Sequence, residues 1–390
     1  MSSSRYWTPH RATGSSSPSR LASLRNSPTT SNLRASRPVK LYLTAISFLL
    51  VTALPVLAQP PAALDVKALF RDASVVDGLV NYYSPTGLGQ PHFGRKEKRP
   101  SVKAATGIDI GTLTIHSTKH LERERAALEG GRYSGARLIR SRKDIELCLA
   151  GREFGVLLYS QTHFPLLGKI DRLRGWYAKG LRIFMVQYGA GDGNQSAAER
   201  LGGGSTQEGG LTRLGRRVVL EAIRLGMIVD VSHCNEQTVL DVCRIAQTRG
   251  VPVLANHTAS AEVLENELPI APYDRNMTDR EVRAIAATGG VVGVMAYVPY
   301  LRRRRPATVD DYVTHVLHMI RVGGVGHVGF SSDGYLDGRQ ARDRKADGVL
   351  DAPRRWMSVV ERLHQRGVTR PDLLKLMGGN FLRVYRQVLK

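Results

Sequence analysis

The chain has 390 residues, 42% hydrophobic and 23% charged, enough for one large core or two small domains. Its formal net charge is +22, of which residues 1–58 supply +7 and the rest +15; so basic a balance points to an anionic partner or an anionic envelope surface. No zinc finger, RNA-binding signature or basic helix with interleaved aromatics is present, which argues against nucleic acid, and the densest cluster, Leu301–Pro306, reads as a solvated loop. Cys148, Cys234 and Cys243 make no disulfide framework, and Cys234, although it follows His233, reads as a small buried hydrophobe.

In chain order, residues 1–40 are rich in Ser and Arg and lack any hydrophobic period. The apolar stretch Leu41–Ala58 follows Lys40 and ends in small residues, the pattern of a secretory signal with a cut after Ala58, so an exported periplasmic or extracellular protein is expected, with an uncleaved membrane anchor as the less favoured alternative. Residues 59–72 read as a linker and 73–390 as a single domain. That domain alternates short apolar runs with amphipathic helical patterns. The runs are 74–77, 108–115, 155–161, 182–188, 227–233, 251–257, 290–297 and 327–333. Helices are expected at "GKIDRLRGWYAKG", "LTRLGRRVVLEAIRLG" and "TDREVRAIAATG", the last opening with a capping box of Thr278 and Glu281. Runs rich in Val and Ile that alternate with helices mean a parallel sheet, and eight of them mean a (β/α)8 barrel, an α/β fold of TIM type. Two Gly-rich loops, 84–100 and 188–210, fall after strand ends, the latter too long and polar to be packed.

In such a barrel the C-terminal strand ends meet at one mouth, so Asn81, Gln161, Tyr188, His233, His257 and Asp333 converge in space. Two neutral imidazoles and a carboxylate are a common zinc ligand set. The residues at that mouth also carry a resemblance. "LGMIVDVSHCNEQTVLDV", "VPVLANHTAS", "YDRNMTDREVRAIAATGGVVGV", "HVGFSSDGYLDG" and "LMGGNFLRVYRQVL", in this order, resemble the membrane (renal-type) dipeptidases, zinc enzymes of the amidohydrolase barrel class. The resemblance runs from about Val75 to the C-terminus and is closest from Leu211 onward.

By that resemblance His233 and His257 are metal ligands, Arg275 binds the substrate carboxylate, and Asp333 handles a proton and the substrate amine. Other positions depart from the family's pattern. Leu79 stands for a histidine and Asn81 for an aspartate; Gln161 stands for a bridging glutamate and Tyr188 for a substrate-contacting histidine. Two zinc ions without those carboxylates leave charge uncompensated in a partly buried site, which costs several kcal/mol per ion. The expectation is therefore at most one zinc, on His233 and His257 with Asp333 as third ligand or general base, and His163 as a less favoured further ligand. The function expected is an exported metallohydrolase that cleaves dipeptides or a related small amide. The alternative is a degenerate homologue that binds an amino-acid or peptide ligand without hydrolysis. A dipeptide or other small-molecule substrate is the expected partner; association with an anionic membrane surface and a homodimer stay open.

Overall fold

The computed structural model describes residues 63–81, 102–131, 133, 135–151, 153–161, 169–189, 200–265, 275–302, 306–336, 350, 352 and 354–390, with backbone only for Asn81 and Glu265. The expected signal segment and His163 lie outside them. The strands in chain order are β1 (Val80–Asn81), β2 (Ile110–Ile115), β3 (Ala136–Leu138), β4 (Phe154–Ser160), β5 (Leu181–Met185), β6 (Ile228–Asp230), β7 (Leu254–Thr258), β8 (Val291–Met295), β9 (Val328–Ser331) and β10 (Gly334–Tyr335). A parallel sheet runs β2-β4-β5-β6-β7-β8-β9, with β3 beside the start of β4.

The segment leading into β1 closes this sheet. Val76 bridges Ile110 on one side, and Asp77 N donates to Ile110 O at 3.0 Å. On the other side Gly78 N donates to Phe330 O at 2.9 Å, and β1 pairs in parallel with β10. Seven of the eight apolar runs thus contribute one strand each to a closed α/β barrel, and the first, 74–77, contributes the bridge at Val76 with its strand β1 just beyond it. β3 falls outside those runs, because three residues carry too little alternation to register as a strand.

Strand periodicity divides the core in two. Leu157, Tyr159, Ile183, Met185, Ile228, Leu254 and Val291 face the barrel interior. Their neighbours Val156, Leu158, Phe184, Val229, Ala255 and Val292 face the helical layer. The interior is plugged from the C-terminal helix Asn380–Val388, whose Phe381 and Tyr385 are fully buried with those inner residues. Gly329 makes room for the plug: a Cβ there would lie 2.4 Å from the Phe381 ring. Truncating Phe381 to alanine would cost roughly 3–5 kcal/mol.

The helix Asp279–Ala287 opens with the expected capping box, Thr278 and Glu281 satisfying each other's backbone. Two other regions differ from expectation. The helix Val66–Asp72 forms inside the stretch read as a linker, capped by Asp65 and holding Leu69 and Phe70 in the core. The described part of the 188–210 loop is packed, not too polar to pack. Leu201 is fully buried, Gly203 N donates to the Thr238 hydroxyl at 2.8 Å, and Asn235 Nδ2 donates to Gln207 O and Gly209 O. Polar backbone is buried there because the end of β6 and the helix Glu236–Arg249 supply its partners, and Gly204 lies where a Cβ would meet Gly189 O at 2.0 Å.

Candidate active site

His233 sits in the turn between β6 and the helix Glu236–Arg249. His257 lies within β7, where the pairing with β8 shifts register between Ala255 and Thr258. That irregularity lets consecutive residues Asn256 and His257 both reach inward. The two imidazole Nε2 atoms approach to 3.0 Å, inside the 3–4.5 Å that a shared tetrahedral ion needs. Gln161 closes a triangle, its Nε2 lying 3.4 Å from His233 Nε2 and 3.2 Å from His257 Nε2. Tyr188 stacks on His233 with ring centroids 4.1 Å apart.

Burial, with the nearby charge of Arg275, holds both imidazoles well below the usual histidine range; His257 adds to the effect on His233. Both are therefore neutral, the form that ligates metal. The tautomer of His257 follows from its neighbour: Nδ1–H donates to Asn256 Oδ1 at 2.5 Å, which leaves the Nε2 lone pair facing His233. Asn256 is itself held. Its Oδ1 also accepts from the Ser232 hydroxyl at 3.1 Å, and its Nδ2 donates to Gly78 O at 3.2 Å.

Behind both lies Asp230, which accepts from Ser232 N at 2.9 Å, Asn256 N at 2.8 Å and the Tyr159 hydroxyl at 3.3 Å. Burial pushes its carboxyl up to about 6, against the pull of those donors. Sequence reading missed Asp230, Ser232, Asn256 and Tyr159. The available signal was polar side chains inside apolar runs, Asp230 in "IVDVSH" and Asn256 in "LANH".

Arg275 is buried, donates from Nη2 to His257 O at 2.7 Å and packs 5.0 Å from the Tyr300 ring centroid. Its Nε has no partner, and among the described residues no carboxylate pairs with it. Asp333 is partly exposed and, among the described residues, the sole non-glycine with positive φ, 46°. Its N donates to Leu79 O at 2.8 Å, which fixes the turn into β10. Burial pushes its carboxyl up to about 6 and the Arg275 charge opposes the rise, so the two face the same space. No hydrogen bond to that carboxylate occurs among the described residues, contrary to a structural aspartate tying down its own turn.

The third-ligand expectation for Asp333 does not hold. Among the described residues, no carboxylate joins the two imidazoles in a set whose ligand atoms all lie within 4.8 Å of one another. The left-handed turn at Asp333 follows directly on β9. Leu79 is fully buried in the inner core, its N donating to the Ser331 hydroxyl at 3.0 Å. The Asn81 side chain lies outside the described residues. Cys234 turns to Gln187 O at 3.8 Å, and burial pushes its thiol well up, so it is an inert buried group.

Two neutral imidazole nitrogens converge here, the lone pair of His257 oriented by Asn256, and the donor set suits a divalent cation. The positions where the family resemblance implies further anionic ligands hold the amides Asn81 and Gln161. Glu262, Asp279 and His318 also bring ligand atoms within 4.8 Å. Their atoms are already used: His318 pairs with Asp279 at 2.7 Å, and Glu262 accepts from Asp279 N at 2.6 Å.

The chain is thus an α/β barrel of TIM type with two imidazoles, an arginine and an aspartate from its strand ends and the loops after them. Residues 131–390 match the membrane dipeptidase family (peptidase family M19), and the chain belongs to that family. It is similar to an uncharacterized dipeptidase of Schizosaccharomyces pombe, 31% identical over 217 residues that make up 55% of this chain and 48% of that one. It is also similar to the dipeptidase tcpJ of Claviceps purpurea, 32% identical over 181 residues, 46% of this chain and 39% of that one. The chain thus spans less than half the length of these curated relatives. In fold it is similar to an amidohydrolase from Pseudomonas aeruginosa, with a TM-score of 0.68, 22% identity, and coverage of 84% of this chain and 99% of that one. A Rhodobacter sphaeroides metallopeptidase liganded with a phosphinate mimic of the dipeptide L-Ala-D-Ala gives a TM-score of 0.63, 19% identity, and coverage of 81% and 99%.

Proposed function

We propose that the protein is an exported metallohydrolase that cleaves the amide bond of dipeptides or a related small amide, with one divalent cation, zinc by its imidazole ligands, at His233 and His257. The observation that carries the reading is the 3.0 Å approach of two neutral Nε2 atoms beside an arginine with no carboxylate partner among the described residues. When bound, the cation supplies a polarised water and a Lewis acid for the amide carbonyl. The rest of the work falls to this chain's residues. Arg275 takes the substrate carboxylate in a charge-assisted hydrogen bond and so sets the register of the amide. Asp333, mostly ionised at neutral pH with its carboxyl near 6, accepts the proton of the attacking water and returns it to the leaving amine. Tyr188, stacked on His233, walls the mouth on the β5 side. Export rests on the Leu41–Ala58 secretory pattern.

A second reading has one observation in its favour: Gln161 hydrogen-bonds both imidazoles and completes a neutral triangle without a cation. The chain would then bind a small carboxylate ligand through Arg275 without hydrolysis. A dipeptide hydrolysis screen on wild type and Arg275→Leu separates the two. The hydrolase reading expects turnover, with kcat/KM reduced about 10–150-fold in the variant, the value of one charge-assisted bond. Binding of dipeptides by the wild type with no turnover at any added zinc would establish the second reading instead.

A further inference from the structure

The net charge is not spread evenly over the described surface. The helix Arg213–Leu225 turns Gly215, Val218, Val219 and Ala222 inward and leaves Arg213, Arg216, Arg217 and Arg224 exposed, at successive intervals of three, one and seven residues that fall on one helix face. A surface cavity lies on each flank of this helix. One, of about 780 Å³, is shared with the helix Asp171–Ala178 and adds Lys169, Arg174 and Arg249. The other, of about 400 Å³, is shared with the helix Glu236–Arg249 and adds Arg244. Three acids line these cavities, and each is engaged. Asp171 and Glu221 pair with Arg174, Glu221 also with Arg224, and Asp241 with Arg244. Arg213, Arg216, Arg217, Arg249 and Lys169 have no acidic partner among the described residues.

We infer that this outer face of the barrel, centred on the arginine stripe of helix Arg213–Leu225, docks the protein on an anionic phospholipid surface. A row of like charges on one face raises the local positive potential and concentrates anions there. Guanidinium groups match phosphates in paired hydrogen bonds. Ile170, Leu220 and Ile223 between the cations are half-buried, so the face offers its charges and not an apolar surface. Neither cavity is lined by an aromatic side chain, which a single-stranded nucleic acid would use for stacking. Leu147 is the one large hydrophobic side chain exposed among the described residues, and it lies outside this face, so no apolar wedge inserts and the contact is electrostatic. It therefore weakens as salt shortens the Debye length to about 8 Å at physiological strength.

The test is sedimentation of the full chain with phosphatidylglycerol/phosphatidylcholine vesicles, against phosphatidylcholine alone and a duplex oligonucleotide. The triple variant Arg213→Glu/Arg216→Glu/Arg217→Glu is compared with Lys119→Glu/Arg321→Glu/Arg370→Glu, which changes the charge equally on other exposed positions. Both keep residues 1–58, so binding by that segment cancels. The inference expects about tenfold stronger partition to the anionic vesicles, lost with added salt. It further expects about a tenfold reduction in the first variant and less than twofold in the second. If the glutamate variant misfolds by circular dichroism, glutamine at the same three positions gives the same comparison with half the charge change. Equal vesicle binding by the two variants overturns the inference, as does a duplex that displaces the vesicles through the same face.

Discussion

On the side of the mouth formed by β6 to β9, the strand ends and the loops after them carry His233, His257, Arg275 and Asp333. The other side, from the segment before β1 round to β5, carries Leu79, Gln161 and Tyr188. Both sides close the same barrel with the same buried interior. Leu79 fills its position completely, and Asp77, two residues earlier, plays a purely structural part, accepting from Ser332 N at 2.8 Å and from Trp356 Nε1 at 3.3 Å. The comparison separates packing from chemistry. The barrel accepts an apolar side chain at Leu79 and an amide at Gln161 while volume and backbone partners are kept. The family match begins at residue 131, past the first two barrel strands, so Leu79 lies before it while Gln161 and Tyr188 lie within it.

The sharpest way to break this division is Asp333→Asn. The variant keeps size and removes charge, so hydrolysis should fall by a factor on the order of 10²–10⁴ at unchanged circular dichroism. A fall in melting temperature with activity intact would place Asp333 among the structural groups instead. Asp77→Ala is the converse on the altered side. It strands two buried donors, Ser332 N and Trp356 Nε1, and should destabilise the fold by about 2–6 kcal/mol in urea titration. The kinetic constants of the folded fraction should not change.

A smaller effect belongs to His315, outside the mouth. Its Nδ1 accepts from Ser260 N at 3.1 Å, its Nε2 lies 3.2 Å from Leu301 O, and burial lowers it from 6.5 to about 4. The folded imidazole binds its proton less tightly than the unfolded one. Its contribution is present above pH 6.5 and is lost as pH falls toward 4, up to about 3 kcal/mol. Denaturant titrations across that window should show the slope in wild type and a shallower one in His315→Gln.

Much of this was legible in the sequence for physical reasons. Buried parallel strands must be apolar on both faces, so the eight runs stood out, and strand ends converge by topology, so His233 and His257 could be paired. What was hidden depends on geometry within one or two residues. The irregularity at Asn256–His257 and the left-handed turn at Asp333 decide which side chains meet, and neither leaves a periodic trace. The polar support from Asp230 and Asn256 reads in sequence only as an interruption of an apolar run. The burial of Leu201–Gly204 depends on partners some thirty residues away.

The central claim is that one cation, and not two, belongs to the His233–His257 pair. Metal analysis of the purified chain after equilibration with zinc tests it most directly. The account predicts close to one equivalent per chain, lost in both His233→Ala and His257→Ala. Two tightly held equivalents, or none, would contradict it.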